Sequence, residues 1–165
     1  MSNDSGLREY VTDHLGGAAM AIALLDRLIG SYRRASHGPF LVELRREIEK
    51  DRVQLQRVAK TVGARPGTLK RAAGWFAEKL TRPKLRLEDD APLGLFLSLE
   101  ALALGVTGKR SLWRALRRMA SSDERLRQFD FRVLEVRALD QYREIERRRL
   151  SLARSALVTP REARR

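Results

Sequence analysis

The amino-acid sequence predicts an all-α fold, a four-helix bundle with one long crossover between its second and third helices. Leu, Ala, Arg and Glu dominate the composition and aromatic residues make up only 6% of it, a balance that favours helices over sheets. Apolar residues also recur at the three- and four-residue steps of amphipathic helices. A chain of 165 residues fits one domain with a substantial core. We place that domain at residues 1–158 and a basic tail at 159–165.

The first hairpin is predicted from two long helices, at about residues 7–34 and 40–62. The stretch from Ser36 to Pro39 separates them, and Pro39 suits the first turn of the second helix. The stripe of the first helix consists of Val11, His14 or Leu15, Ala18, Ile22, Leu25, Ile29 and Tyr32. The stripe of the second consists of Leu41, Leu44, Ile48, Asp51, Leu55, Val58 and Val62. Asp51 therefore occupies a position that helical periodicity assigns to the core.

The second hairpin is predicted at about residues 92–120 and 122–156, after a crossover that carries a short helix at about 68–80. The sequence from Ser121 to Glu124 has the capping-box pattern that starts a helix. Because the links within each predicted hairpin are short, the helices in each pair should run antiparallel. The long link lies between the hairpins.

Residues 91–108 form the longest apolar stretch of the chain and carry one ionisable side chain, Glu100. A carboxylate in apolar surroundings must find a cation, a metal or hydrogen-bond donors, or keep its proton. Glu100 is therefore either a structural carboxylate paired with a basic residue or a functional group inside the bundle. The stretch approaches the length of a membrane span, but its central glutamate and the basic residues after it favour a cytoplasmic protein without a span.

The order of predicted elements resembles the ferritin-like superfamily: a hairpin, a crossover with a short helix, and a second hairpin. The segment from Gly38 to Val58 is also similar to the second helix of small stress-associated ferritin-like proteins. The resemblance implies a carboxylate on the first and third helices and a Glu-x-x-His motif on the second and fourth. Glu100 matches the third-helix carboxylate and Glu47 the second-helix glutamate. Lys50, however, stands where the motif requires histidine.

The incomplete motif leaves two interpretations of the polar residues. One is a reduced metal site for a transition metal such as Fe, Mn or Zn, with ligands among His14, Glu47, Asp51 and Glu100. The other is a buried polar cluster in which His14, Asp51, Glu100 and an arginine such as Arg149 satisfy one another. The chain has no cysteine, which excludes disulfides, thiolate zinc sites and cysteine nucleophiles.

The basic residues suggest a different class of function, nucleic-acid binding. The formal net charge is +13, and residues 57–86 contain nine basic side chains and a single acidic one, Glu78. Residues 55–71 resemble a helix-turn-helix, whose second helix carries the base contacts while basic groups meet phosphates. The candidate contacts are Lys60, Arg65, Lys70 and Arg71.

These observations favour a non-catalytic structural or interaction module of the stress-associated ferritin-like kind. Its partner would be another protein or a second copy of the chain, forming a dimer through exposed helix faces. Nucleic-acid binding through residues 57–86 and metal binding at a reduced site remain the alternatives. The sequence contains neither a nucleophile elbow nor a strand-supported phosphate loop, so no enzyme class is indicated.

Overall fold

A computed structural model describes residues 4–64 and 92–158, and all regular secondary structure in these two ranges is helical. The prediction of an all-α fold is therefore confirmed. The predicted short helix at 68–80 and the tail at 159–165 lie outside the described residues. The elements are α1 (Ser5–Tyr32), α2 (Gly38–Val62), α3 (Pro92–Met119), a short 3-10 helix (Glu124–Leu126) and α4 (Phe131–Leu157).

Helices α1 and α2 form an antiparallel hairpin. Near the connection, Arg45 of α2 donates to Asp26 of α1, with Nε 2.5 Å from Oδ1. At the opposite end, the Arg8 guanidinium lies beside Gly63. Gly63 ends α2 because its φ of 69° is a left-handed conformation that suits glycine, and its N–H donates to the carbonyl of Lys60.

Helices α3 and α4 are also antiparallel and share the most extensive helix–helix contact among the described elements. Three side-chain pairs establish the direction. Going forward along α3, Glu100, Lys109 and Arg117 meet residues that lie progressively earlier in α4. Their partners there are Arg149, Gln141 and Glu135. The two hairpins contact each other mainly through α1 and α3.

The start of α4 differs from its predicted position at residue 122. Asp123 accepts from the backbone N–H of Arg125, but it caps only the 3-10 helix. The long helix begins at Phe131, where Asp130 accepts from the N–H of Val133 in the manner of an N-cap. The intervening turn buries Leu126 completely where the 3-10 helix contacts α2. The capping pattern therefore marks the start of the short 3-10 helix and not the start of α4.

Periodicity identified the core most accurately in α2. All seven residues of its predicted stripe, Asp51 included, are buried. The buried face of α3 extends the same core to Trp113, whose ring stacks on Phe131 with the centroids 6.2 Å apart. Trp113 is fully buried.

Glu100 is not enclosed in the core, contrary to the expectation for the apolar stretch. Its side chain is 47% exposed and pairs with Arg149 across 3.5 Å. The reason is that α3 exposes a face that includes apolar residues, with Leu93 36% and Leu104 41% exposed. Glu100 lies on that face. The predicted partner Arg149 is correct, and the predicted burial is wrong.

Among the described residues, α1 and α3 are each long and apolar enough to cross a membrane, with a mean hydropathy of 1.2 over their most apolar windows. Half of that window in α3 and 33% of it in α1 are buried within the protein. A core helix of a soluble protein meets the same criteria. Length and composition therefore do not assign either helix to a bilayer.

Candidate functional site

Asp51 is the most deeply buried ionisable side chain in the described ranges, with 1% of its surface exposed. It lies on the apolar stripe of α2, between Ile48 and Leu55. A buried carboxylate must be matched by donors, and Asp51 has three. Lys109 Nζ lies 2.5 Å and Gln141 Nε2 3.1 Å from its Oδ2, while Arg137 Nη1 lies 2.9 Å from its Oδ1.

These four residues, Asp51, Lys109, Arg137 and Gln141, form a network that we call the Asp51 cluster. Lys109 also donates to Gln141 Oε1 across 2.5 Å, so the members bond to one another as well as to Asp51. The cluster ties α2 of the first hairpin to α3 and α4 of the second. It contains two basic side chains and one carboxylate, which gives it a formal charge of +1 when all are ionised.

Lys109 is the most perturbed member of the cluster. Burial lowers the pKa of Lys109 below its usual value, and the nearby Arg137 adds to that effect. The charge and hydrogen bond of Asp51 oppose it, as does the charge of Glu47. Desolvation is the largest of these influences, so additional negative charge close to Lys109 would stabilise its ammonium form.

A cavity of about 340 Å³ lies beside the Asp51 cluster, between α1, α2 and α3. We call it the α1–α3 cavity. It exists because small residues face each other across it: Gly17, Ala18 and Ala21 on α1, and Gly105 and Gly108 on α3. Its remaining walls are mainly apolar and comprise Ile48, Leu55, Leu102, Leu104, Val106, Leu112 and Trp113.

Five ionisable side chains border the cavity. Asp51 and Lys109 come from the cluster, and Asp13 and His14 come from α1. Burial lowers the pKa of His14, although the charge of Asp13 opposes the shift, so the neutral imidazole is favoured. Arg52 of α2 also borders the cavity and donates to Glu49.

Trp113 contributes an unused donor to the same wall. Its side chain is fully buried, and its indole N–H has no hydrogen-bond partner within residues 4–64 and 92–158. Buried polar groups without partners are uncommon in folded proteins, and each calls for an explanation. A donor of this kind beside an open cavity is suited to an acceptor atom of a bound molecule.

The structure does not assemble the four predicted metal ligands. His14 and Asp51 border the same cavity, whereas Glu100 pairs with Arg149 on the other side of α3. Glu47 lies one helical turn before Asp51 and acts on Lys109 through its charge. No three metal-ligating side chains converge in the described part of the chain.

The buried polar cluster is present with a different membership from the one predicted. Asp51 belongs to it, but Lys109, Arg137 and Gln141 take the places assigned to His14, Glu100 and Arg149. Two of these three residues carried a signal in the sequence. Lys109 continues the buried face defined by Leu102, Val106 and Trp113, and Gln141 lies between Ala138 and Ile145 on the buried face of α4. Arg137 lies beside that face and carried no comparable signal.

Lys60 is the only predicted nucleic-acid contact within the described ranges, and it is exposed near the end of α2. Arg65, Lys70 and Arg71 lie outside them. A group of described basic residues with no acidic residue between them lies on the second half of α3, as Arg110, Arg114, Arg117 and Arg118. We call these four the α3 arginine row.

Glu135 of α4 is shared by three members of the α3 arginine row. It lies 3.8 Å from Arg110, 3.6 Å from Arg114 and 3.1 Å from Arg117. One carboxylate cannot neutralise three guanidinium groups, so this surface keeps an excess of positive charge. These basic residues directly follow the apolar stretch in the sequence, but the candidate nucleic-acid contacts were predicted elsewhere.

Comparison with protein-family models, curated proteins and solved structures finds no match to this chain.

Proposed function

We propose that the chain is a non-catalytic interaction module, a four-helix bundle of ferritin-like topology in which the Asp51 cluster takes the place of a metal centre. The observation that carries the proposal is the saturation of Asp51. Both of its oxygens accept hydrogen bonds, from Lys109, Arg137 and Gln141. A carboxylate used in this way serves the structure of the core.

The charges around Asp51 argue against a divalent cation at this position. Lys109 Nζ already lies 2.5 Å from Oδ2, and Arg137 brings a second positive charge to the other oxygen. A metal ion placed there would be repelled by both groups, and repulsion between like charges is strong away from water. Glu100, the predicted ligand from α3, is engaged with Arg149.

The ferritin-like topology is supported by the connectivity. Two antiparallel hairpins, α1–α2 and α3–α4, are joined by one long segment between Val62 and Pro92. Bundles with one long crossover connection have this order. Lys50 stands where the Glu-x-x-His motif of the second helix requires histidine. Basic groups surround Asp51, the one carboxylate that is fully buried among the described residues.

Metal analysis of the purified protein tests this proposal. The protein is incubated separately with Fe²⁺, Mn²⁺ and Zn²⁺, desalted, and compared with Asp51→Asn treated in the same way. We expect substoichiometric metal in both proteins, because Lys109 and Arg137 already satisfy the carboxylate. One equivalent of metal that the Asp51→Asn substitution removes would overturn the proposal.

A second candidate function, binding of the nucleic-acid backbone, is favoured by the α3 arginine row. Three of its guanidinium groups share Glu135, and Ser111 and Ser121 border the same surface depression as Arg114, Arg117 and Arg118. Guanidinium groups that outnumber the nearby carboxylates can bind phosphate oxygens, and the serine hydroxyl groups can add hydrogen bonds.

Fluorescence anisotropy with duplex DNA at several salt concentrations tests this candidate. Phosphate contacts would make the association constant fall steeply as salt rises. The double variant Arg114→Gln/Arg118→Gln should weaken binding and flatten the salt dependence. The matched variant Arg143→Gln/Arg147→Gln removes the same charge from α4, where these arginines pair with Asp140 and Glu144. Equal losses in the two variants would exclude a specific role for the α3 arginine row.

A further inference from the structure

We propose that the α1–α3 cavity binds a small apolar carboxylate, such as a medium-chain fatty acid, with its hydrocarbon part between α1 and α3 and its carboxylate toward Lys109 and Trp113. The inference rests on the proposed non-catalytic function and supplies the chemical class of its ligand. Shape, charge and an unused hydrogen-bond donor each support it.

The shape of the cavity suits a small hydrocarbon group. Its volume of about 340 Å³ lies at the lower end of the range of about 300–1,000 Å³ that is typical of ligand sites. Six of its 17 lining residues are leucine, isoleucine or valine, and five more are glycine or alanine. A Cβ atom built at Gly17 or Gly108 meets no atom within 4 Å outside its own helix. These glycines therefore border open space.

The ammonium of Lys109 favours an anionic head group at its end of the cavity, whereas the carboxylate of Asp13 borders the cavity from α1. The Asp51 cluster is formally +1, because Lys109 and Arg137 share one carboxylate. Lys109 borders the cavity, and its side chain is only 14% exposed. An ammonium has three N–H donors, of which Asp51 and Gln141 engage two. A ligand carboxylate could accept the third.

Trp113 also borders the cavity, and its indole nitrogen is a second donor that lies just behind the open surface of the wall. The side chain is fully buried, and its indole N–H has no acceptor among the described residues. Because an indole N–H can act only as a donor, it needs an acceptor from elsewhere. Trp113 follows Lys109 by one helical turn on α3, so both side chains lie on the same face of that helix. A carboxylate has enough lone pairs to accept from both.

Other occupants fit these observations less well. A neutral hydrocarbon would fill the space but leave the Trp113 donor and the charge of the cluster unmatched. A cationic amphiphile would bring a second positive charge to the ammonium of Lys109, which borders the cavity. An apolar carboxylate matches the apolar walls, the ammonium of Lys109 and the Trp113 donor together.

Titration with octanoate and with octan-1-ol tests the proposal. The chain contains two tryptophans, Trp75 and Trp113, so Trp75→Phe leaves Trp113 as the only indole reporter. We expect octanoate to change Trp113 fluorescence saturably and to bind about tenfold or more tightly than the alcohol, because charge-assisted hydrogen bonds are about twice as strong as neutral ones. Isothermal titration calorimetry on the unmodified chain gives the stoichiometry, which should be one.

Two leucine substitutions on α1 distinguish the effect of filling the cavity from the general effect of a new leucine in the helix. Gly17→Leu places a side chain in the cavity and should abolish octanoate binding. Gly30→Leu makes the same exchange in the same helix, where a Cβ also meets no atom within 4 Å, but Gly30 does not border the cavity. It should bind octanoate as the unmodified chain does. Circular dichroism and urea unfolding verify that both variants fold.

Lys109→Met provides the test of the head group. It removes the ammonium but keeps an unbranched apolar side chain, so octanoate should lose its advantage over octan-1-ol. Equal affinities of acid and alcohol for the unmodified chain, or undiminished binding to Gly17→Leu, would overturn the proposal. Failure of octanoate binding leaves the metal analysis unaffected, whereas one equivalent of Asp51-dependent metal would overturn the proposed function by itself. The two results are therefore distinguishable.

Discussion

The carboxylate of Asp51 holds two basic side chains, Lys109 and Arg137, inside the protein. Removing one partner of a buried ion pair costs about 3–5 kcal/mol, because the remaining charge is left uncompensated. We expect Asp51→Asn to lower the free energy of unfolding by that amount at neutral pH. Urea denaturation followed by circular dichroism measures the change.

The matched control for Asp51→Asn is Asp26→Asn. Asp26 also pairs with an arginine, Arg45, but its side chain is 52% exposed, and exposed pairs contribute at most about 1 kcal/mol. Equal destabilisation of the two variants would contradict the role assigned to burial. The double variant Asp51→Leu/Lys109→Met should recover part of the loss, since apolar residues of similar size often replace buried ion pairs without penalty.

The partly buried imidazole of His14 predicts how the stability of the protein depends on pH. Burial lowers the pKa of His14 below its usual value of 6.5, with Asp13 opposing the shift. As pH falls through 6.5, the unfolded chain therefore takes up a proton that the folded chain does not yet bind. The free energy of unfolding decreases across this interval and stops decreasing below the folded pKa of His14.

We expect His14→Gln to lose less stability than the unmodified chain between about pH 7 and pH 5, the interval in which histidine titrates. Urea unfolding midpoints at several pH values measure the two slopes. His37 remains in both proteins, and burial together with the charge of Arg148 also lowers its pKa, so the variant should keep a residual slope. Parallel curves for the two proteins would show that His14 keeps an ordinary pKa.

At the scale of the helix, substitution by alanine should change the free energy of unfolding in opposite directions at two glycines of the first hairpin. Gly17 lies inside α1, and a Cβ there meets no atom within 4 Å outside the helix's own nearby backbone. Gly17→Ala should therefore stabilise the protein by up to about 1 kcal/mol, the difference in helix propensity. Gly63 has a φ of 69°, so Gly63→Ala should destabilise by about 1 kcal/mol.

Thermal and urea unfolding of the two alanine variants measure these changes. Because both exchanges add one methyl group to the same hairpin, the comparison isolates backbone conformation from composition. A loss of stability in Gly17→Ala would show that close packing requires glycine there. It would also contradict the open space that the α1–α3 cavity provides.

A comparison of α2 with α3 shows when the buried face of a helix can be predicted from its sequence. In α2, polar residues alternate with the apolar stripe, so periodicity assigned seven of the nine buried positions, including Asp51, and missed only Gly38 and Ala59. In α3, apolar residues occur on all faces, and Leu93 and Leu104 remain 36% and 41% exposed. The sequence could not identify the exposed face of such a helix, and Glu100 was consequently placed in the core.

At the scale of the whole molecule, the helical composition and local periodicity were sufficient to predict an all-α fold. The partners of Asp51 were not predictable in the same way. Lys109 and Gln141 are separated from it by 58 and 90 residues, so their proximity depends on how the hairpins pack. A single sequence contains the polar residues but not the register between distant helices. The predicted membership of the polar cluster therefore differed from the observed one.

The distribution of contacts over the molecule predicts which hairpin opens first. Helices α3 and α4 share the most extensive contact, whereas α1 meets α3 less closely and the cavity lies between α1, α2 and α3. Segments with fewer buried contacts open at lower free energy. We therefore expect amides of α1 to exchange at a lower free energy than those buried between α3 and α4, as measured by native-state hydrogen exchange with increasing urea.

Native-state hydrogen exchange of the Asp51→Asn variant measures how strongly the two hairpins stabilise each other. The Asp51 cluster bonds α2 to α3 and α4, so its loss should lower the opening free energy of α1 and α2 more than that of α3 and α4. Asp26→Asn weakens a contact within the first hairpin only and serves as the control. If every helix exchanged at one common free energy in the unmodified chain and in both variants, the hairpins would unfold as a single cooperative unit. The Asp51 cluster would then stabilise the molecule as a whole without acting specifically as the link between its halves.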